Sequence, residues 1–264
     1  MKINGKDQGI YMGKKGNVAI ITGASSGMGM ECARQLDKRL HHTDELWLIA
    51  RRKAPMEELA VSLRHKTRIL AMDITDAAQM KQLAEVLGLV SPLITILVNC
   101  AGVGSHGNFE EQEQTDIIAM MQLNIGALTQ MTKLCLPYMR KGSRILQFAS
   151  GAAFLPQASF AVYAASKAYV YSFSRAIAKE LRERGITVTA VCPGPVNTPF
   201  LQHAYGELSR LNGLKKMTMA QTECVVAKAM VDCKKKKEVS LCGLPMWALY
   251  AATQTTQNLL QKFT

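Results

Sequence analysis

The chain is poor in the features that mark secreted, membrane-spanning or metal-dependent proteins. Its seven cysteines form no Cys-x-x-Cys pair. An odd number placed mostly inside predicted elements (Cys32, Cys100, Cys135, Cys192) reads as buried free thiols in a reducing compartment, not as a disulfide framework. No apolar run approaches the ~20 residues that a spanning helix needs. Residues 1–15 are polar and show no apolar stretch resembling a secretion signal, so the cytoplasm is the expected location. Histidine is scarce, at five. His41, His42 and His106 lack clustered partners, so no metal is expected, and His203 could at most touch a substrate. Acids are outnumbered by bases, 20 to 32, for a net charge of +12. The bases are dispersed, however, and the one dense run, residues 234–237, falls at a predicted helix end where cations complement the dipole. No nucleic-acid role is expected, although a basic surface attracts acidic partners such as phosphorylated carriers.

What is present is a long alternation of strand and helix signals across 264 residues. Apolar, β-branched runs predict strands at 18–21, 45–50, 67–72, 93–98, 144–149, 186–192 and 238–242. Helical patterns fill the intervals at 30–40, 55–64, 76–87, 115–136 and 159–184. Ser159 is the expected N-cap of the last of these and Gly185 its C′ residue. Alternation of this kind argues for α/β architecture: a doubly wound parallel sheet of about seven strands with helices on both faces, in three layers. No repeat or linker interrupts it, so residues 1–264 read as one domain. Residues 194–217 are poorly periodic and read as a lid. Beyond them, Thr218 and Gln221 form a capping-box pattern. The segment 244–264 is apolar on one side (Trp247, Tyr250, Leu259, Leu260, Phe263). It is expected to pack on its own sheet or on a sister subunit, with a membrane-surface role as the lesser option.

The first strand runs directly into Thr22-Gly23-Ala24-Ser25-Ser26-Gly27-Met28-Gly29 and then a helix. Strand, glycine-rich turn and helix N-terminus together make an anion cradle for a dinucleotide pyrophosphate. A site selective for NAD places an acid about twenty residues further on, to hold the ribose 2′-hydroxyl. Here the second strand ends Ile49-Ala50-Arg51-Arg52, with no acid at the junction. Alanine leaves room for a 2′-phosphate, and guanidinium groups bind phosphate through paired charge-assisted hydrogen bonds. NADP(H) is therefore the expected cofactor, with NAD(H) second.

Tyr163 and Lys167 stand four residues apart in a predicted helix, which puts both on one face. A nearby ammonium favours the phenolate. At ~4 Å and an effective dielectric of about 20, the attraction is roughly 4 kcal/mol. That predicts a phenol pKa brought about three closer to neutrality. Such a phenol can protonate a carbonyl oxygen or deprotonate an alcohol.

These motifs in order resemble the short-chain dehydrogenase/reductase family over nearly the whole chain. Its glycine motif is matched by Gly23, Gly27 and Gly29, and its Asn-Asn-Ala-Gly signature by Asn99-Cys100-Ala101-Gly102, with cysteine in place of the second asparagine. Its catalytic asparagine, serine, tyrosine and lysine match Asn124, Ser150, Tyr163 and Lys167, and Ser150 lies thirteen residues before Tyr163. Its nicotinamide segment matches Pro193-Gly194 with Val196 and Thr198. The resemblance implies a Rossmann-type fold in which Ser25, Ser26 and Met28 complete the cradle. Arg51, more than Arg52, would meet the 2′-phosphate. Asp73 and Ile74 would meet the adenine, although Asp73 could equally be a helix cap. Asn99, Ala101 and Gly102 would line the cofactor, although Asn99 could equally be a sheet tether. Tyr163 would protonate the carbonyl oxygen and Ser150 would donate a hydrogen bond to it. Lys167 would lower the phenol pKa and hold the nicotinamide ribose, while Asn124 would hold a water leading to solvent.

The leading expectation is an NADPH-dependent reductase of a ketone or aldehyde. The alternatives are a 3-oxoacyl carrier-protein reductase and a non-catalytic NADP(H)-binding sensor or scaffold. Phe154, Leu155, Pro156 and the lid segment 200–214 suggest an apolar pocket for a small-molecule carbonyl or alcohol. The family implies pairing of its two long helices, 115–136 and 159–184, into a homodimer or homotetramer.

Overall fold

The computed structural model describes residues 16–40, 42–205 and 219–260. Seven parallel strands form one sheet in the order β3-β2-β1-β4-β5-β6-β7. They are β1 Asn17–Thr22, β2 Glu45–Ala50, β3 Lys66–Ala71, β4 Leu93–Asn99, β5 Arg144–Phe148, β6 Thr187–Val191 and the two-residue β7 Val239–Ser240. Chain order runs outward from β1 to β3, then returns to the other side of β1 with β4. Parallel strands need crossovers, and helices supply them: α1 Gly27–Arg39, α2 Ala54–Ser62 and α3 Ala77–Val90 in the first half. The carboxyl ends of β1 and β4 thus flank the topological switch point, where doubly wound sheets bind their ligands.

The period of two along each strand sends alternate side chains to opposite faces. Val18 and Ile20 enter one core with Trp47, Leu97 and Ile145; Ala19 and Ile21 enter the other with Leu48, Ile96 and Leu146. A register shift between Val18 and Ala19 leaves Thr95 as the extra residue on β4, its hydroxyl donating to the Val18 carbonyl at 3.0 Å. That shift lets Ile94 and Leu97 share a face although they are three apart.

Several expected boundaries give way to tertiary contacts. The helix expected at 115–136 is α4 Gln114–Met120, a π-helical segment Met121–Ala127, then α5 Leu128–Cys135. The extra residue per turn lies at Asn124, whose side chain is held by backbone outside its own helix, as π segments at functional positions often are. The next helix, α6, spans Ala161–Glu180 with Phe160 at the N-cap position. Ser159 adopts φ +56° and donates its hydroxyl to Asn108 Oδ1 at 2.9 Å, so it ties a neighbouring loop instead of capping α6. Gly185 does take a left-handed φ of +67°, but in a separate turn beyond the helix, whose C-cap is Leu181.

The lid expected at 194–217 contains a short helix, α7 Pro199–Tyr205. Leu201, Ala204 and Tyr205 give it an apolar face, buried against Met120, Phe160 and Tyr163. Its base is clipped shut by a parallel bridge between Val196 and Ala220. After it come α8 Thr222–Lys234, with Gln221 at the N-cap position and no side-chain cap, and α9 Leu244–Leu260. Thr218 of the expected capping box, lid residues 206–217, His41 and Phe263 lie outside the described residues, as do the side chains of His203, Leu259 and Leu260. Lys234 to Lys237 are exposed at the end of α8, where Lys237 and Lys228 both pair with the buried Asp232.

Candidate active site

At the switch point, the turn after β1 and the end of β4 approach too closely for side chains. Gly23 has φ +71°, and a Cβ there would lie 2.9 Å from the Ala101 nitrogen. A Cβ on Gly29 would fall 2.2 Å from the Gly23 carbonyl oxygen. The two glycines therefore let α1 start directly against the turn. Thr22, absent from the expected site, holds the two strand ends together: its buried hydroxyl accepts from the N–H groups of Cys100 at 3.0 Å and Ala101 at 3.2 Å. Its place as the first residue of the cradle was the available signal. Gly27 is left-handed and faces the Thr198 side chain, so the turn and the segment after β6 share one crevice. Ser26 is extended and its side chain does not cap α1, which leaves that role in the first turn to other groups. A backbone-lined concavity at a helix N-terminus fits a dinucleotide pyrophosphate.

Of the two arginines, Arg52 reaches the cradle, donating to Ser25 Oγ at 3.3 Å; Arg51 is exposed beside it. Asp73 is no helix cap. Its Oδ1 accepts from the Thr75 N–H and hydroxyl at 2.9 and 2.7 Å, and Asp76 caps α3 instead. Ile74 buries its side chain in the core, so only its backbone is available at the crevice. Asn99 is the tether: its amide nitrogen donates to Thr132 Oγ1 and Gln147 Oε1, both at 3.0 Å, binding β4 to α5 and β5. That side chain is directed into the protein, away from a cofactor-lining role.

Four side chains converge at the carboxyl end of β5. Tyr163 and Lys167 on α6 are 7% and 5% exposed. Lys167 Nζ donates to the Phe148 carbonyl at 2.8 Å and stands 5.7 Å from the Tyr163 ring centre. Ser150, two residues beyond β5, accepts from the Ala152 N–H at 3.1 Å, and its hydroxyl is close enough to the Tyr163 phenol to lower its pKa. Asn124 is fully buried. Its Oδ1 accepts from the Val103 N–H at 3.0 Å, and its nitrogen donates to the Val103 carbonyl and to Ser166 Oγ. Ser166 in turn donates to the Tyr163 carbonyl at 2.7 Å. Sequence reading missed Ser166, although it immediately precedes Lys167 on the same turn. Gly102 lies where a Cβ would be 3.1 Å from Asn124 Oδ1 and 3.3 Å from Lys167 Nζ, so glycine keeps this ammonium and amide within reach of the crevice.

The electrostatics differ from the expectation for the phenol. Burial pushes the Tyr163 hydroxyl up to about 12; the Ser150 hydrogen bond opposes this, and the Tyr205 phenol adds to it. Burial also brings Lys167 down to about 8, with the Cys100 and Cys192 thiols acting the other way. Desolvation is the largest cause at both groups, and Lys167 directs its ammonium to the Phe148 carbonyl.

Around the Tyr163 ring stand Phe160, stacked at 4.3 Å between centres, and Phe200 at 5.5 Å. Tyr205 joins them through Phe160 and His106. These form the apolar wall. Of the residues expected there, Phe154 packs instead on Tyr171 and Tyr250, while Leu155 is 48% exposed. Among the described residues, no group of three or more histidine, cysteine, aspartate or glutamate residues is placed to hold a metal ion. Nor is any helix there long and apolar enough to cross a membrane.

Comparison with known proteins agrees with this geometry. The sequence model of the short chain dehydrogenase family matches residues 17–207. The 3-ketodihydrosphingosine reductase of Bacteroides thetaiotaomicron is 32% identical over 200 residues, covering 74% of this chain and 69% of that protein. The very-long-chain 3-oxoacyl-CoA reductase of Laccaria bicolor is 30% identical over 234 residues, covering 83% of this chain and 65% of that protein. Among solved structures, a short-chain dehydrogenase from Sphingobium yanoikuyae in complex with NADPH superposes with a TM-score of 0.81 at 27% identity, covering 93% of this chain and 95% of that one. Seven parallel strands in this order, the glycine cradle and the matched 17–207 span make the chain a member of the short-chain dehydrogenase family of oxidoreductases.

Proposed function

We propose that this protein reduces the ketone of a bulky apolar substrate with NADPH, using Tyr163 as the proton donor. The observation that carries the reading is a buried phenol, walled by aromatic rings and neighboured by Ser150, beside a buried ammonium at the same end of the sheet as the glycine cradle. Gly23, Gly27 and Gly29 with Ser25, Ser26 and Met28 would hold the pyrophosphate. Arg52, already bonded to Ser25, is better placed than Arg51 for a 2′-phosphate. Ala101, Gly102 and the run of Pro193, Gly194, Val196 and Thr198 would line the remainder. When bound, the nicotinamide supplies the hydride.

The chain's own residues manage the proton. A phenol with its pKa near 12 stays protonated throughout the neutral range and so acts as acid in the reductive direction. The Ser150 hydroxyl steadies charge developing on the substrate oxygen. Lys167 keeps its charge 5.7 Å from the phenol ring while bonded to the Phe148 carbonyl, and Asn124 ties the π segment to the loop after β4. The two relatives named above act, by their names, on 3-keto lipid substrates, which supports a long-chain 3-keto compound over a small aldehyde. Delivery of such a chain on an acidic carrier protein is the second reading, favoured by the net charge of +12.

Replacing Tyr163 by phenylalanine is expected to lower kcat for ketone reduction by about 10²–10⁴-fold, the usual worth of a positioned general acid. NADPH affinity, measured by fluorescence titration, should stay near that of the parent protein; equal turnover by the two proteins would overturn the reading.

The pH profile follows from Lys167. Below about 8 the ammonium is present and kcat/KM for reduction is flat; above it the proton is lost and the rate falls. In Lys167→Arg the descending limb moves well above this range, because guanidinium stays charged. A descending limb that Lys167→Arg leaves in place assigns it to another group.

Arg52→Ala should raise the KM for NADPH by roughly 10–100-fold, the loss of a charge-assisted bond worth about 1.5–3 kcal/mol, with little change for NADH. A parent protein that prefers NADH, or an Arg52→Ala variant affecting both nucleotides alike, contradicts the 2′-phosphate assignment.

Substrate delivery is read from salt dependence across a panel of free long-chain ketones, 3-oxoacyl thioesters of coenzyme A and carrier-bound thioesters. If the carrier is recognised, raising ionic strength from about 0.05 to 0.5 M raises KM only for the carrier-bound members. Equal response across the panel removes the carrier reading.

A further inference from the structure

The C-terminal helix α9 places Met246 between the two loops that carry the reacting side of the site. Its thioether lies in a core cluster with Ala149 and Cys192, the residues immediately before Ser150 and Pro193. A Cβ on Gly151 would stand 2.3 Å from Met246 Cε and 3.1 Å from its Sδ; one on Gly194 would stand 3.0 Å from Sδ and 3.4 Å from Cγ. Both glycines therefore give their side-chain space to one methionine. The loops meet directly as well, through the Gly151 N–H donating to the Pro193 carbonyl at 2.7 Å. That bond lies just beyond the last β5–β6 pair, Phe148 with Val191, and the thioether packs beside it. The methyl end of a methionine swings easily. Here Sδ and Cγ also fill the space where a Gly194 side chain would stand, so one side chain occupies the room at both loops. Phe154 packs on the same helix through Tyr250, ring centres 5.4 Å apart.

We propose that Met246 is a positioning residue: through Gly151 and Gly194 it sets the separation between the Ser150 hydroxyl and the segment running from Pro193 to Thr198. The proposal rests on the reading that Ser150 and Tyr163 act on the substrate carbonyl. A core methionine with no such role would alter stability and leave turnover alone. A positioning residue alters kcat, because an error near 1 Å in the reacting geometry costs up to about 10²-fold.

The test is a size exchange in the full-length protein, with kcat and KM measured for NADPH and the best ketone of the panel, and with circular dichroism to verify folding. Met246→Ala is expected to lower kcat about tenfold while KM for the ketone changes less than about twofold. Gly151→Ala should lower kcat similarly, since its methyl meets the thioether. The double variant Gly151→Ala/Met246→Ala should recover most of the rate, because contacting residues are non-additive and the new methyl enters the vacated space. Met246→Leu keeps most of the volume, stays folded where alanine does not, and should turn over faster than Met246→Ala. A double variant no better than Gly151→Ala, or Met246→Ala and Met246→Leu both turning over like the parent, overturns the proposal. Unchanged turnover in the Met246 variants alongside lost turnover in Tyr163→Phe defeats this inference alone. Full turnover in Tyr163→Phe defeats the catalytic reading and this inference with it.

Discussion

A buried ammonium organises this site. Lys167 sits at the edge of the sheet with almost no solvent contact, and an isolated charge in that position would cost several kcal/mol. The Phe148 carbonyl at the end of β5 receives it, which ties α6 to the sheet at the one point where Ser150 leaves the strand. Gly102 comes close to the same nitrogen and to Asn124, so the loop after β4 and the π segment are drawn to it as well. Tyr163, one turn earlier on α6, is thereby aimed at the crevice between β4 and β5. Remove the charge and its acceptor, and four elements lose their common reference.

The cofactor crevice depends on a different constraint, the absence of side chains. Gly23 and Gly29 let backbone press on backbone, while the Thr22 hydroxyl supplies the hydrogen bonds that this close approach requires. On the far side of the crevice the lid helix α7 brings Phe200 and Tyr205 over the phenol, and α9 sends Met246 beneath the loops that hold Ser150 and Pro193. The reacting side is thus shaped from above by aromatic rings and from behind by one flexible thioether. Both come from segments late in the chain, folded back onto the carboxyl edge of the sheet.

Some residues were legible and others were not, for identifiable reasons. Strand β2 was read residue for residue because Leu46 to Ala50 is a short unbroken apolar run, suited to a strand buried on both faces. The four residues brought together at β5 were legible in two ways: Tyr163 and Lys167 through their four-residue spacing, Ser150 and Asn124 through the family resemblance. Asn99 was left open between two roles, and its partners Thr132 and Gln147 come from elements that no local pattern connects to it. Ser159 looked like a cap, yet Asn108, about fifty residues away, claims its hydroxyl. Phe154 and Leu155 were apolar and near the carboxyl end of β5, but Phe154 packs on Tyr171 and on Tyr250 of α9, and Leu155 is left exposed.

By itself the amino-acid sequence determined the alternation of strands and helices, the parallel sheet that follows from it, the glycine turn, and the Tyr163–Lys167 pair on one helix face. Those are consequences of period, backbone freedom and spacing, all of which are local. Only the tertiary structure decided that the phenol is more weakly acidic than its lysine neighbour suggested, and that Arg52 rather than Arg51 meets the cradle. It also decided that a methionine from the C-terminal helix packs against two loops distant from it in sequence. Burial is the reason: the cost of desolvating a charge, and the space left for a side chain, belong to whatever surrounds a residue, and those surroundings are assembled from the whole chain.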